Sequence, residues 1–282
     1  MYGNSACPQV KQYSNIITTA VILLGGLFAM SSNIQQQEAS AGQNNTAEMQ
    51  TRSNGAQNIV LVHGGWADGS SWSKEIPTLE AAGHRVIAVQ LPLHSMADDI
   101  ATVKRAIDLV GGPTILVGHS YGGFVITNAA YNNPNVTGLV YVAAFAPDMG
   151  QSLSDFVDAT KFPEGLLIPD SGGFLYLNST LFQNSFAQDV NSTEASVMAA
   201  VQKPFNQSLF TEKSGPPAWK QLPTWYQISE NDRMIPPDVQ RSFAERMNAT
   251  TISLNASHAS LVSHPKEIAE LILNATKASS TR

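Results

Sequence analysis

"ILVGHSYGGFVI", residues 115–126, sets one serine between glycines directly after an apolar run. "TILV" (114–117) has the continuous, β-branched character of a strand buried on both faces, and "FVITNAAY" (124–131) carries its apolar residues on one side at helical spacing. G-x-S-x-G at a strand–turn–helix junction is the pattern of a nucleophile elbow, a sharp turn that holds a serine hydroxyl clear of the sheet. Such a serine takes a strained backbone conformation, so Gly118 and Gly122 flank it without side chains, and Gly123 lets the helix approach the sheet. At the helix start Ser120 also faces free N–H groups that favour a developing negative charge.

A serine hydroxyl is a poor nucleophile without a base, and six histidines are available. His63 and His119 end strands beside turn glycines and read as structural; His84 and His94 fall in surface connections. His264 precedes Pro265 at a helix start and reads as a local cap. His258, in "LNASHASLVSHP", follows the last strand on a loop at a carboxyl end, where open α/β sheets bind ligands. It is the expected base.

The orienting acid should fall between serine and histidine in chain order. "ISENDRMIPP" (228–237) offers Glu230 and Asp232 after the penultimate strand, and Asp148 ends an earlier one. Asp232, just ahead of the Ile235-Pro236-Pro237 turn, is the expected acid. An oxyanion needs two backbone N–H donors. Tyr121, after the nucleophile, supplies one, and "LVHGGW" (61–66) supplies the other, with Gly65 as the expected donor. Trp66 could equally donate, and its ring could wall the substrate pocket.

The 282 residues leave room for a full α/β core, and a hydrophobic fraction of 43% suits a globular protein. Net charge is −6 with no run of lysines or arginines, which argues against nucleic-acid partners. Cys7 is the only cysteine, so no internal disulfide forms. No Cys/His cluster has zinc-ligand spacing, and a mechanism without metal or cofactor is expected.

Residues 1–50 read differently. "IITTAVILLGGLFAM" (16–30), preceded by Lys11, matches the apolar region of a secretory signal and is short for a spanning helix, which needs roughly 20 residues. Residues 1–41 are expected to form a signal peptide or N-terminal anchor, with "ASA" (39–41) as a cleavage site, and 42–56 a flexible linker. The domain from 57 to 282 would then be secreted, or held at a membrane through residues 16–30 alone. Asn-x-Ser/Thr triplets begin at Asn44, Asn135, Asn178, Asn191, Asn206, Asn248, Asn255 and Asn274. Roughly three would arise by chance, so the excess points to an N-glycosylated surface, the alternative being an Asn- and Thr-rich composition without sugars.

Downstream, strands are expected at 58–63, 85–90, 114–119, 138–144, 224–229 and 251–255, all in the style of strands buried on both faces. Helices are expected at 71–82, 96–110, 121–133, 237–248 and 265–276. Such alternation predicts a mostly parallel sheet of about six strands with helices on both faces. Residues 148–218 break the alternation. They show no convincing strand, hold a helical stretch around "STEASVMAAVQ" (192–202), and are long enough to be a lid or cap. Phe156, Phe162, Phe174, Phe182, Phe186 and Trp219 could line an apolar pocket, though more than half of them are expected merely to pack the cap onto the core.

Together "LVHGGWADGSSW", "GHSYGG", "SENDRMIPP" and "SHASLVSHP" resemble the α/β-hydrolase superfamily over residues 57 to 277. They are similar to a branch holding plant methylesterases, hydroxynitrile lyases and bacterial carboxylesterases, pyrethroid-cleaving ones included. The resemblance implies a six-strand parallel core, a helical cap at 148–218, and ester hydrolysis by Ser120, His258 and Asp232, with Gly65 and Tyr121 donating to the oxyanion. Two departures narrow it. Hydroxynitrile lyases carry Thr where this chain has Gly64 and Lys where it has Ala259, which argues against cyanohydrin cleavage. Superfamily members with Asp at the elbow are excluded by Ser120.

The expected function is hydrolysis of a small-molecule carboxylic ester through an acyl-enzyme. Two alternatives are a lactonase acting on acyl-homoserine lactones or related cyclic esters, and a receptor-like binder with slow turnover. Oligomeric state is not legible.

Overall fold

The apolar runs pair into a single parallel sheet. The computed structural model describes residues 57–280; the expected leader (1–41), the whole linker (42–56) and the triplet at Asn44 lie outside the described residues. In chain order the strands are β1 (Asn58–Val62), β2 (Arg85–Ala88), β3 (Thr114–His119), β4 (Val136–Val142), β5 (Leu167–Pro169), β6 (Phe174–Leu177), β7 (Phe205–Asn206), β8 (Thr224–Ser229) and β9 (Thr250–Leu254). The α-helices are α1 (Ile76–Ala81), α2 (Met96–Val110), α3 (Tyr121–Ala129), α4 (Ser179–Phe186), α5 (Ser192–Val201), α6 (Pro237–Arg246), α7 (Ser260–Ser263) and α8 (Pro265–Ser279).

The main sheet runs β2-β1-β3-β4-β8-β9, every pair parallel. Right-handed crossovers then put α2, α3 and α6 on one face and α1 and α8 on the other; accordingly α2 packs on α3 and α1 on α8. β3 and β8 are buried along their whole length, as their unbroken apolar runs require. Ile115, Leu116 and Val117 are fully buried, each worth about 1.5–3 kcal/mol of transfer free energy. The edge strands correct the expectation of burial on both faces. β2 and β9 are each exposed or half-buried along their length, because a helix layer covers an edge strand only in part.

The helix expected at 71–82 is two pieces. Asp68 accepts from the Ser70 amide at 2.6 Å and so starts a 3₁₀ turn, Gly69–Trp72, and α1 begins only at Ile76 with Pro77 in its first turn. Serines that bond locally compete with helix here. By contrast α2 has both ends specified: Ser95 accepts from the Asp98 amide, and Gly111 closes the helix at φ 65°.

The interval 148–218, read as strand-free, holds a small antiparallel sheet, β5-β6-β7, besides α4 and α5. Its strands are two to four residues long and only partly buried, too short for alternation to register in the sequence. Asn178, Asn191 and Asn206 each cap a helix here by accepting from the amide two residues on, which supplies a local structural cause for three of the Asn-x-Ser/Thr triplets. Among the described residues no helix is long and apolar enough to cross a membrane.

Candidate active site

Register brings the site together. Val62, the last residue of β1, lies beside Gly118 of β3, and His119 lies beside Val142 of β4. The turns after β1 and β3 therefore emerge side by side at the carboxyl edge. The segments after β8 and β9 join them there.

At the elbow Ser120 sits at φ 53°, ψ −124°, a left-handed conformation that L-residues adopt only under constraint. The glycines show what constrains it. A Cβ on Gly122 would come 2.5 Å from the Val62 carbonyl oxygen, and one on Gly118 would come 2.6 Å from the Gly122 backbone. The turn is tight because two backbones pass where side chains would stand.

Ser120 Oγ–H donates to His258 Nε2 at 2.9 Å, and His258 Nδ1–H donates to Asp232 Oδ2 at 2.7 Å. The tautomer follows, since a carboxylate only accepts. All three residues are buried, Ser120 at 7% exposure and His258 at 1%. Asp232 is further held by the Met234 and Ile235 amides on Oδ1, at 2.7 and 2.9 Å, and by Gln240 Nε2 on Oδ2 at 2.8 Å. The segment leading into the Ile235-Pro236-Pro237 turn thus supplies two backbone donors to the acid, and the turn itself starts α6.

The rival residues are engaged elsewhere. Glu230 pairs with Arg241 at 3.0 Å, and Asp148 with Lys220 at 2.7 Å. His264 Nδ1 meets Ser263 Oγ at 2.8 Å. His84 Nδ1 donates to the Gln57 carbonyl, and His94 packs edge-on against Phe174. His63 and His119 are both neutral, their pKa values lowered chiefly by burial, that of His63 to about 4. Neither is idle. His119 Nε2–H donates to the His258 carbonyl at 2.9 Å, and His63 Nδ1–H donates to the Gly64 carbonyl at 2.8 Å.

Gly65, Trp66 and Tyr121 all line the pocket, and among the described residues none of their three amides donates to a backbone carbonyl. Space is tight around them: a Cβ on Gly64 would fall 2.6 Å from Ser120 Cβ, and one on Gly65 would fall 2.9 Å from the Phe205 ring. Trp66 stands at φ 55°, its indole Nε1–H on the Leu175 carbonyl at 2.9 Å and its ring against Phe205.

These groups open on a pocket walled by apolar side chains that include Phe145, Phe162, Phe205, Phe210, Met234 and Ile235. Of the six aromatic residues singled out in the insertion, only Phe162 lines it. Phe186 packs edge-on against His258, with Phe182 behind it, Phe156 packs on Phe243, and Trp219 donates to the Pro147 carbonyl. Sequence reading missed Phe205, Phe210 and Gln240. Phe205 follows Pro204 in a two-residue strand, so no periodicity marks it.

The chain has known relatives. The sequence pattern of the alpha/beta hydrolase family matches residues 59–271. A pyrethroid hydrolase from Sphingobium wenxiniae is 29% identical over 240 residues, 76% of this chain and 85% of that protein. Polyneuridine aldehyde esterase from Rauvolfia serpentina is 24% identical over 252 residues, 77% of this chain and 95% of that one. The crystal structure of a pyrethroid hydrolase from Sphingobium faniae superposes with a TM-score of 0.69 at 25% identity, covering 80% of this chain and all of that one. With its family pattern, parallel sheet and elbow in agreement, the chain belongs to the alpha/beta hydrolase family.

Proposed function

We propose that this carboxylic ester hydrolase works through a serine acyl-enzyme. His258 Nε2 takes the Ser120 proton as Oγ attacks the ester carbonyl carbon, and the Gly65 and Tyr121 amides hold the oxygen that becomes negative. His258 then returns the proton to the alcohol oxygen, which departs. Water, deprotonated by the same nitrogen, attacks the acyl carbon and frees Ser120. Asp232 keeps the imidazole in the tautomer with Nε2 free. The observation that carries this reading is the unbroken chain Ser120 Oγ–His258–Asp232, at 2.9 and 2.7 Å, opening on an apolar pocket. The pocket wall favours a substrate with an apolar acyl or alcohol part. Relatives named pyrethroid hydrolase and polyneuridine aldehyde esterase support an ester substrate and give no support to a lactone.

A panel of p-nitrophenyl esters of increasing acyl length, run with wild type and Ser120→Ala, tests the reading. Turnover by wild type that vanishes in the variant is expected; tight ligand binding without turnover would instead favour a receptor. We further propose that the domain acts outside the cell, on the strength of the apolar segment 16–30 and of seven Asn-x-Ser/Thr asparagines that are exposed or half-buried. Mass spectrometry of exported protein should find a chain beginning near Gly42 and carrying sugars; an unglycosylated, full-length chain retained in the cell would contradict it.

A further inference from the structure

Asp99 is fully buried on α2, away from the Ser120–His258–Asp232 chain, yet both of its oxygens are committed. Oδ2 accepts from the Tyr121 hydroxyl at 2.9 Å, and Oδ1 accepts from the Leu93 amide at 2.8 Å. Tyr121 directly follows Ser120 and lines the pocket. Two residues before Leu93, the Leu91 amide donates to His63 Nε2 at 2.9 Å, and the other nitrogen of that ring holds the Gly64 carbonyl. The Leu91–Leu93 segment is therefore tied on one side to Tyr121 through Asp99 and on the other to the Gly64–Gly65 turn through His63.

Its carbonyls are tied as well. Lys203 Nζ donates to the Leu91 carbonyl, and the Asn206 amide donates to the Leu93 carbonyl at 3.1 Å. Phe205 lies between those two residues. Its ring stands edge-on to Tyr121 at 5.1 Å and covers Gly65 closely enough to leave no room for a Cβ. One three-residue segment thus holds both amide-bearing turns and the ring that roofs them. Leu93 sits at φ 60° to do so, a left-handed conformation that needs an outside constraint.

We propose that Asp99 is a positioning residue for the oxyanion site: through the Tyr121 hydroxyl and the Leu93 amide it holds the Tyr121 N–H in register with the Gly65 N–H. The inference rests on the ester-hydrolysis reading. Burial raises the Asp99 carboxyl to about 6, with the Leu93 and Tyr121 hydrogen bonds acting in the opposite direction, so near neutral pH the phenol donates to an ionised acceptor. A donor pair aimed at the transition state has to be correct to a few tenths of an ångström, because a hydrogen bond weakens steeply once it is bent or stretched.

The test uses the full-length protein, p-nitrophenyl acetate and a trifluoromethyl ketone, whose hemiketal with the serine presents the same oxyanion. Tyr121→Phe removes one hydroxyl and leaves the backbone donor in place. Its kcat is expected to fall about tenfold with KM within about twofold, and Ki for the ketone to rise by the same factor as kcat falls. Asp99→Asn should give a smaller loss of the same kind, and should add nothing when combined with Tyr121→Phe. A fluorophosphonate titration reports the active fraction, so a fall in kcat per labelled site is not loss of fold. An active wild type whose Tyr121→Phe and Asp99→Asn variants keep kcat and ketone affinity would overturn the proposal alone. Additive losses that act on KM only would do the same. A wild type without ester turnover would overturn the ester reading and this proposal together.

Discussion

His258 Nδ1 lies 2.7 Å from Asp232 Oδ2, on an oxygen that Gln240 Nε2 also holds at 2.8 Å. The acid is thus fixed by three further donors before it meets the imidazole, and the ring cannot turn without losing a buried charge-assisted bond. Asp232→Asn keeps the shape but presents an N–H to Nδ1, so the wrong tautomer faces Ser120. We expect kcat to fall by about 10³–10⁴ with little change in melting temperature. A fall of less than tenfold would show that another group orients His258.

Gly64 touches the nucleophile through empty space. Alanine there would put Cβ 2.6 Å from Ser120 Cβ, below any real contact. Gly64→Ala is expected to fold and to lose at least about tenfold in kcat, because the elbow serine has to shift. Gly122→Ala presses on the backbone oxygens of Val62 and His63 at 2.5 and 2.7 Å, and should instead lose stability, read as a lower melting temperature or as insoluble protein. Equal, mild effects in both would contradict this assignment of space.

Much of this was legible from the chain because the chemistry lies at strand ends. Ser120, Asp232 and His258 each follow a strand whose apolar run is visible, so topology alone brings them to one edge. The pocket was not legible. Phe205 and Phe210 come from a two-residue strand and a 3₁₀ turn, held by contacts with Trp66 and Tyr121 rather than by local propensity. The tether through Asp99 was equally hidden, since an acid in the first turn of a helix reads as a response to the helix dipole. Only the structure shows that this one is buried and bonded to Tyr121.

Phe162 is the one aromatic residue singled out in the insertion that lines the pocket. Phe162→Ala enlarges an apolar wall without touching the hydrogen-bond chain. Hexanoyl and octanoyl p-nitrophenyl esters should gain in kcat/KM relative to acetate, by roughly 10-fold if the ring now blocks the longer chain. An unchanged length profile would place the acyl chain elsewhere.

Two buried groups set the pH range of stability in opposite senses. Glu75 is buried with neither carboxyl oxygen bonded to another residue, and burial raises its pKa from 4.5 to about 8. The folded state therefore binds this proton more tightly, and the stabilisation, complete below 4.5, is lost as pH rises towards 8. His63 behaves inversely. Burial lowers it to about 4, so its contribution is complete above 6.5 and is lost as pH falls towards 4. Thermal melts from pH 5 to 9 should show Glu75→Gln gaining steadily on wild type from pH 5 up to about 8 and no further above it. Parallel curves would contradict the placement of Glu75 in the core.

The central claim is that Ser120 carries the acyl group, and acid-quenched mass spectrometry tests it most directly. Wild type mixed briefly with p-nitrophenyl acetate should yield one acetyl group, on the peptide that contains Ser120, while Ser120→Ala yields none and releases no p-nitrophenol above the rate of buffer. Acetyl on another residue, or turnover that survives in Ser120→Ala, would contradict it.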